Sequence, residues 1–194
     1  MNLQKIGIIG CGYVGATIAY TVVQSRLFSE VVLLDKDEEK AQGEVMDLSH
    51  CLSFIAPMSI YQGTYEKLHD AGIVVITAGA NQEEGEDRLA LAEKNARIIR
   101  DIVPRIAAVN KDCILLLVTN PVDILSYEAY RLSGFDPRRV IGSGTVLDTG
   151  RLKYLVGERL NVDHRNVHTF IIGEHGDSEL AVWSSANVSG IDLN

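Results

Sequence analysis

A histidine flanked by glycines is the most unusual candidate for chemistry in this sequence. His175 lies in a polar turn, residues 173–177, that follows an apolar run. An imidazole gains and loses a proton near neutral pH, and flanking glycines let the backbone approach a ligand closely. The turn therefore indicates general acid–base catalysis, although the residues alone leave open whether His175 is catalytic.

A carboxylate and a guanidinium stand three residues apart in the predicted helix before this turn. Asp148 and Arg151 share one helix face at that spacing. The simplest interpretation is a surface ion pair, which is common and contributes little to stability. Asp148 is 27 residues from His175, so spacing alone does not pair the two.

A glycine turn near the N-terminus predicts a dinucleotide site. Gly10, Gly12 and Gly15 have the spacing G-x-G-x-x-G between an apolar strand, residues 6–9, and an apolar helix. The first glycine permits a tight turn, the second lets the backbone approach a pyrophosphate, and the third lets helix and strand pack closely. The free N–H groups of the helix then face the phosphates.

The same stretch has two other interpretations, a membrane-spanning helix and a signal peptide, because no charged residue occurs between Lys5 and Arg26. Its many glycines suit a spanning helix poorly, and one lysine is a weakly basic start for a signal peptide. A second apolar run ends in Asp35, 20 residues after Gly15, where dinucleotide-binding domains carry an acid for the ribose hydroxyls. That carboxylate favours NAD over NADP, despite the neighbouring Lys36.

Apolar runs that alternate with helical stripes predict an α/β fold with a doubly wound parallel sheet (Rossmann type) over residues 1–142. The runs are continuous, as in strands buried on both faces. Predicted strands cover residues 6–9, 31–34, 58–61, 73–76, 114–118 and 139–142, and predicted helices cover 16–23, 37–50, 89–110 and 122–132. Pro104 should bend the long helix or remove one of its hydrogen bonds.

The pattern changes after residue 142. We expect a helix over 148–160 and a strand over 167–172, whereas periodicity does not decide between strand and helix over 179–188. Residues 143–194 are too few to bury a core of their own. We therefore expect a truncated chain that ends within the first part of an α+β catalytic domain.

Composition restricts the partners and the compartment. The net charge of −8 argues against nucleic acid and anionic membrane surfaces as partners. The three cysteines, Cys11, Cys51 and Cys113, contain no CxxC pair, and their odd number argues against a disulfide framework. We predict a cytoplasmic protein with three buried thiols and no metal site.

Longer stretches resemble the L-lactate/L-malate dehydrogenase family, and most of all its bacterial L-lactate dehydrogenases. In family order, these stretches are GCGYVG, MDLSH, VVITAGANQ, GEDRL, VTNPVDIL, IGSGTVLDTGR and FIIGEHGDSEL. The resemblance covers the whole chain. It implies interconversion of pyruvate and L-lactate with NAD, in glycolysis and fermentation, by a cytoplasmic homotetramer.

The resemblance also implies catalytic roles. His175 would exchange a proton with the C2 oxygen of the substrate, and Asp148 would hold its imidazole. Arg151 would bind the substrate carboxylate through two hydrogen bonds. Arg88 would stabilise charge on the substrate oxygen, from a loop that closes as a lid.

Further positions match the family's substrate and cofactor contacts. Asn120 would bind substrate, and its bond to Pro121 is a candidate cis peptide bond. The cofactor-binding positions are Gly10, Gly12, Val14, Gly15, Asp35, Lys40, Tyr65, Gly79, Ala80, Val118, Thr119, Asn120 and Ser143.

Substrate choice is expected to depend on Gln82. In the family, glutamine at this position accompanies pyruvate and arginine accompanies oxaloacetate, and the acidic residues over 83–87 would repel a second carboxylate. The alternatives are an L-malate or other L-2-hydroxy-acid dehydrogenase, and an NAD-binding fragment without turnover.

Two positions depart from the family pattern. Lys153 replaces an arginine that, in many allosteric members, binds fructose 1,6-bisphosphate together with a histidine at the position of His168. Lysine keeps the charge but loses the bidentate fork, so weaker activation is expected, and an ordinary strand histidine is the other interpretation of His168. Gly150 replaces a usual alanine, which should loosen the helix that holds Arg151.

Overall fold

Six parallel strands form the main sheet. They are β1 (Asn2–Ile9), β2 (Glu30–Leu34), β3 (Ser59–Gln62), β4 (Ala71–Ile76), β5 (Ile114–Leu117) and β6 (Val140–Gly142). Their order is β3-β2-β1-β4-β5-β6. The chain therefore runs outward from β1 to β3 and crosses back to β4, which makes the carboxyl ends of β1 and β4 the switch point where such sheets bind ligands. The predicted doubly wound sheet is confirmed.

The computed structural model describes residues 1–81, 85 and 87–193, and for Arg88 the backbone alone. Within that part of the chain, no helix combines the length and the apolar character needed to cross a membrane. Contacts between Cα atoms divide the chain into two compact units, Met1–Gly142 and Ser143–Asn194.

Helices cover both faces of the sheet. They are α1 (Tyr13–Ser25), α2 (Glu38–His50), α3 (Arg88–Val109) and α4 (Val122–Ser133). Alternate residues of a strand enter opposite cores, so Val31 belongs with Ile8 to the core on one face, and Val32 belongs with Ile99 and Leu125 to the core on the other. Burial on both faces explains why the strands read as continuous apolar runs.

Local sequence sets the helix ends. Asp37 caps α2 by accepting the Lys40 N–H, and Asp87 caps α3 by accepting the Leu89 N–H. Gly134 ends α4 in the left-handed conformation that favours glycine. The helix α3 continues through Pro104, which lies on its exposed side.

The second unit contains one long helix, α5 (Val146–Leu160), and short antiparallel strands. They are β7 (Val167–His168), β8 (Ile171–Ile172), β9 (Leu180–Ala181), β10 (Asn187–Val188) and β11 (Ile191–Asp192). The predicted single strand over 167–172 is wrong, because β7 pairs with β10 whereas β8 pairs with β9. The side chains of Thr145 and Thr149, at the start of α5, form hydrogen bonds with the backbone of Ile171. These bonds hold β8 beside α5, so β8 does not continue the pairing of β7. The undetermined segment 179–188 forms β9, a 3₁₀ turn and β10.

The cysteines are all free, but they differ in burial. Cys11 and Cys113 are buried as predicted, whereas the prediction is wrong for Cys51, which is partly exposed. Cys51 lies in a 3₁₀ turn at the end of α2, outside both core clusters. Burial, together with the nearby Asp35 carboxylate, raises the pKa of Cys11 to about 12, so this thiol stays protonated.

Candidate active site

Five of the six parallel strands end at residues that are in register with one another. Ile9 is in register with Leu34 and Ile76, and the register continues through Leu117 to Gly142. The next residue of each strand segment is Gly10, Asp35, Thr77, Val118 and Ser143. Four of these five positions, all except Thr77, are predicted cofactor contacts. We call this edge of the sheet the carboxyl edge.

The glycine turn is sterically closed around Gly10 and Gly15. Gly10 has a φ of 103°, and a Cβ at Gly15 would lie 1.8 Å from the Gly10 carbonyl oxygen. Thr77 Oγ1 donates a hydrogen bond of 2.7 Å to that same oxygen, which fixes the turn to β4. Gly12 has open space around its Cβ position, so the backbone that opens α1 remains accessible to a phosphate.

Asp35 is bound to this turn. Its carboxylate accepts the Cys11 N–H at 2.6 Å and the Asp37 N–H at 3.0 Å. A half-buried carboxylate held beside the turn is placed to accept hydrogen bonds from ribose hydroxyls, and it would repel a 2′-phosphate.

Two clefts open along the carboxyl edge within the first unit. The larger, about 650 Å³, includes the predicted contacts Gly10, Asp35, Tyr65 and Gly79 among its lining residues. The smaller, about 280 Å³, includes Val14, Gly79, Ala80, Val118, Thr119 and Asn120. The bond between Asn120 and Pro121 is cis. Gly79 contributes to both clefts, so an extended ligand could follow the edge from one to the other.

Besides Gly12 and Gly15 of the glycine turn, two predicted cofactor contacts line neither cleft. Lys40 is exposed on α2, and its backbone N–H is taken by the Asp37 cap. Ser143 is the first residue of the second unit. The geometry of the clefts therefore gives no support for these two positions.

The sequence analysis missed two polar residues at this edge, Thr77 and Asn95. Thr77 fixes the glycine turn, and Asn95 is 2% exposed with its side chain against the smaller cleft. A signal existed for Asn95, because it is a polar residue on the apolar stripe of α3 that Leu91 and Ile99 define.

The second unit brings Asp148 and His175 together. His175 Nδ1 lies 2.6 Å from Asp148 Oδ2, and Arg151 Nη1 donates to Asp148 Oδ1 at 2.8 Å. Burial of the Asp148 carboxyl acts to raise its pKa, but the hydrogen bonds and charges of His175 and Arg151 prevail and hold the pKa below its usual value. The ionised carboxylate requires Nδ1 to carry a proton, so Nε2 is the nitrogen that can exchange one. We call Asp148 and His175 the acid–base pair.

Side-chain hydrogen bonds set the geometry of the acid–base pair. Thr149 Oγ1 accepts the Ile171 N–H at 2.9 Å, and Thr145 Oγ1 donates to the Ile171 carbonyl at 2.7 Å. These contacts fix β8 against α5, the helix that carries Asp148. The chain then turns through Gly173, whose φ is 97°, and presents His175.

A second carboxylate lies near this pair. Glu179 offers an oxygen within 4.8 Å of ligand atoms on Asp148 and His175. Glu179 is exposed, whereas Asp148 is only 7% exposed. The imidazole of His175 therefore lies beside two carboxylates that differ in exposure.

Four further predicted site residues are Gln82, Arg88, Lys153 and His168. Gln82 and the side chain of Arg88 lie outside the described residues. Lys153 is partly buried on α5, and His168 is exposed on β7, against which α5 packs.

A doubly wound parallel sheet with this glycine turn, and with an acid fixed at the end of β2, defines a dinucleotide-binding protein. Comparison with known protein families identifies the family of this chain. Residues 4–142 match the NAD-binding domain of the lactate/malate dehydrogenases, and residues 145–194 match their α/β C-terminal domain. The chain belongs to the lactate/malate dehydrogenase family.

Curated relatives and solved structures agree with this assignment. An L-lactate dehydrogenase of Acetivibrio thermocellus is 54% identical over 99% of this chain, and one of Clostridium botulinum is 53% identical over all of it. A lactate dehydrogenase from a deep-sea metagenome library superposes with a TM-score of 0.95 at 49% identity, covering all of this chain and 62% of its own. The chain spans 61% of the length of these two curated relatives.

Proposed function

We propose that this protein interconverts pyruvate and L-lactate, with NAD as the hydride carrier. The observation that carries the proposal is the 2.6 Å hydrogen bond between Asp148 and His175. It joins a nearly buried carboxylate to an imidazole whose other nitrogen can exchange a proton. Membership of the lactate/malate dehydrogenase family supports a 2-hydroxy acid as the substrate.

Proton transfer is assigned to His175. In pyruvate reduction the imidazolium gives its Nε2 proton to the C2 oxygen while a hydride reaches C2, and in lactate oxidation neutral Nε2 takes the hydroxyl proton. NAD supplies the hydride chemistry when bound. Asp148 stabilises the charged imidazole and holds its tautomer throughout.

Substrate binding is assigned to three cationic or amide side chains. Arg151 binds the substrate carboxylate, since a guanidinium presents five N–H donors and only one of them is used on Asp148. Arg88 stabilises negative charge on the C2 oxygen, and Asn120 hydrogen-bonds the substrate. From the family resemblance alone, we propose that the chain around Gly85 excludes water from the bound substrate.

Cofactor binding is assigned to the carboxyl edge. The predicted contacts that line its clefts, together with Gly12 and Gly15 of the turn, would hold NAD. Asp35 disfavours NADP because its carboxylate would face a 2′-phosphate. Lys40 and Ser143 remain contacts that only the family resemblance suggests.

Pyruvate is proposed as the substrate rather than oxaloacetate because position 82 is glutamine. Residues 83, 84, 86 and 87 are acidic, so a second substrate carboxylate would meet negative charge without a cation. The alternative substrates are L-malate or another L-2-hydroxy acid.

Steady-state kinetics with NADH tests the substrate assignment. We expect kcat/KM for pyruvate to exceed that for oxaloacetate by at least about 100-fold. Gln82→Arg should move the preference toward oxaloacetate, whereas Gln42→Arg, which adds the same charge on exposed α2, should not. Equal kcat/KM values for both substrates in the unaltered protein would refute the assignment.

A second candidate function is NAD binding without turnover by the 194-residue chain. The chain spans 61% of the length of the Acetivibrio thermocellus relative, and the L-lactate dehydrogenase name belongs to that longer protein. Fluorescence titration with NADH, followed by an assay of lactate oxidation on the same sample, separates the two candidates.

We also propose a mode of regulation, a state of assembly and a compartment. Lys153 and His168 support a fructose 1,6-bisphosphate site between the subunits of a homotetramer, with weaker activation than an arginine would give. Light scattering with and without the sugar, beside an activity assay, tests both. Three free cysteines agree with a reducing compartment, and we propose the cytoplasm.

A further inference from the structure

Asn95 is a polar side chain on a helix face that otherwise packs into the core. It is 2% exposed, and α3 places it on the same stripe as the buried Ile99 and Ile102. Burial of an amide is costly unless each polar atom finds a partner. Both polar atoms of the Asn95 amide therefore need hydrogen-bond partners.

The amide of Asn95 bridges two loops of the carboxyl edge. Its Oδ1 accepts the Ala80 N–H at 2.7 Å, and its Nδ2 donates to the Asn120 carbonyl at 2.7 Å. Only this orientation of the amide satisfies both backbone groups. Ala80 follows β4 and Asn120 follows β5, so one side chain fixes the ends of two neighbouring strands.

The two loops have little room to adjust to a change at Asn95. Thr119 Oγ1 donates to the Ala78 carbonyl at 2.9 Å. A Cβ at Gly79 would lie 2.5 Å from a Thr119 methyl carbon and 3.4 Å from Asn95 Oδ1. The loops are therefore packed against each other, and the Asn95 amide completes the connection.

We propose that Asn95 is a positioning residue that holds the cofactor-binding loop at Ala80 and the substrate-binding residue Asn120 in one fixed relation. The proposal rests on the proposed function. The positioning effect of Asn95 extends to the start of α3, because Arg88 is the first residue of that helix, two turns before Asn95. One rigid helix thus links the two loops to the backbone of Arg88.

Two substitutions separate the two hydrogen bonds. Asn95→Asp keeps an acceptor for the Ala80 N–H but sets a carboxylate oxygen against the Asn120 carbonyl. Asn95→Leu removes both hydrogen bonds of the side chain at similar volume. We expect Asn95→Leu to weaken NADH binding about tenfold or more. Asn95→Asp should keep the Kd for NADH within about threefold and lower kcat with pyruvate about tenfold.

Asn110 provides a matched control at the other end of α3. It is 5% exposed, and its side chain donates to the carbonyls of Leu68 and Ala71 and accepts the N–H of Asp112 and of Cys113. None of these groups lies at the carboxyl edge. Asn110→Asp and Asn110→Leu should lower Tm but leave the Kd for NADH and the kcat of the folded protein unchanged.

Titration with NADH, turnover of pyruvate and Tm, measured on all five proteins, decide the proposal. The expected result is that the Asn95 variants change Kd or kcat as described while the Asn110 variants change Tm alone. If Asn95→Leu lowers Tm but binds NADH as tightly as the unaltered protein, the residue is merely structural and the proposal is wrong. If the unaltered protein binds NADH but does not reduce pyruvate, the proposed reaction fails, and the Asn95→Leu titration still decides the role of Asn95.

Discussion

The carboxyl edge of the first unit and the acid–base pair of the second unit are built in different ways. At the carboxyl edge, five hydrogen-bonded strands end at residues that are in register, so each site residue is placed by the register of a regular sheet. The acid–base pair stands between a helix and a turn, and threonine side chains on Ile171 fix its geometry. A regular sheet distributes the positioning over many backbone bonds, whereas the second unit concentrates it in a few side chains.

A side chain at Gly15 should disrupt the glycine turn of the carboxyl edge. Gly15→Ala would place a Cβ 1.8 Å from the Gly10 carbonyl oxygen, so the backbone of the turn must move. We expect a loss of about 3 kcal/mol in the free energy of unfolding, and NADH binding should weaken about 100-fold or more, as measured by urea denaturation and fluorescence titration.

Gly43→Ala is the control for that change. Gly43 lies inside α2 with nothing near its Cβ position, so alanine there should stabilise the protein slightly and leave NADH binding unchanged. Wild-type affinity in Gly15→Ala would show that close packing of the turn is not needed for the cofactor.

The contrast also shows how far the sequence predicts this molecule. Alternation of apolar runs and helical stripes gave the sheet, because burial on both faces leaves a pattern along the chain. The pairing of Asp148 with His175 was available only through family resemblance, since 27 residues of spacing do not specify a contact. The break between β7 and β8 was not predicted, because it follows from the threonine contacts of α5. Thr77 and Asn95 were missed because their partners are backbone groups of distant segments.

A hydrogen bond of the second unit can be removed without changing the shape of the side chain. Thr149→Val loses the Oγ1 that accepts the Ile171 N–H at 2.9 Å, which should cost about 1–3 kcal/mol of unfolding free energy. Thr149→Ser keeps the hydroxyl and should lose less. A loss in Thr149→Ser with none in Thr149→Val, measured by urea denaturation, would mean that the methyl group of the threonine matters and its hydroxyl does not.

Acid should weaken the acid–base pair before it affects the sheet register. Burial opposes ionisation of Asp148, but His175 and Arg151 hold its pKa below the usual 3.8. A lowered folded pKa stabilises the protein above the unfolded value and loses that contribution as pH falls through the folded pKa. The unfolding free energy of wild type relative to Asp148→Asn should thus be constant near pH 5 and fall below pH 3.8. A difference that grows on acidification would contradict the geometry.

Helix α5 contains a glycine that alanine could replace without a steric clash. Gly150 lies in the helix with nothing within 4 Å of its Cβ position, so Gly150→Ala should stabilise the protein by about 1 kcal/mol. The change should raise Tm without altering the Kd for NADH. A lower Tm would show that glycine is required there by a contact or conformation that the helix does not reveal.

We predict that the acid–base pair carries out proton transfer while the carboxyl edge binds the cofactor independently of that pair. The most direct test compares wild type with His175→Gln, measuring the Kd for NADH and the rate of pyruvate reduction on the same preparations. We predict an unchanged Kd and a kcat lower by about 10²- to 10⁴-fold. A variant that keeps a tenth or more of the wild-type rate would contradict the assignment of His175.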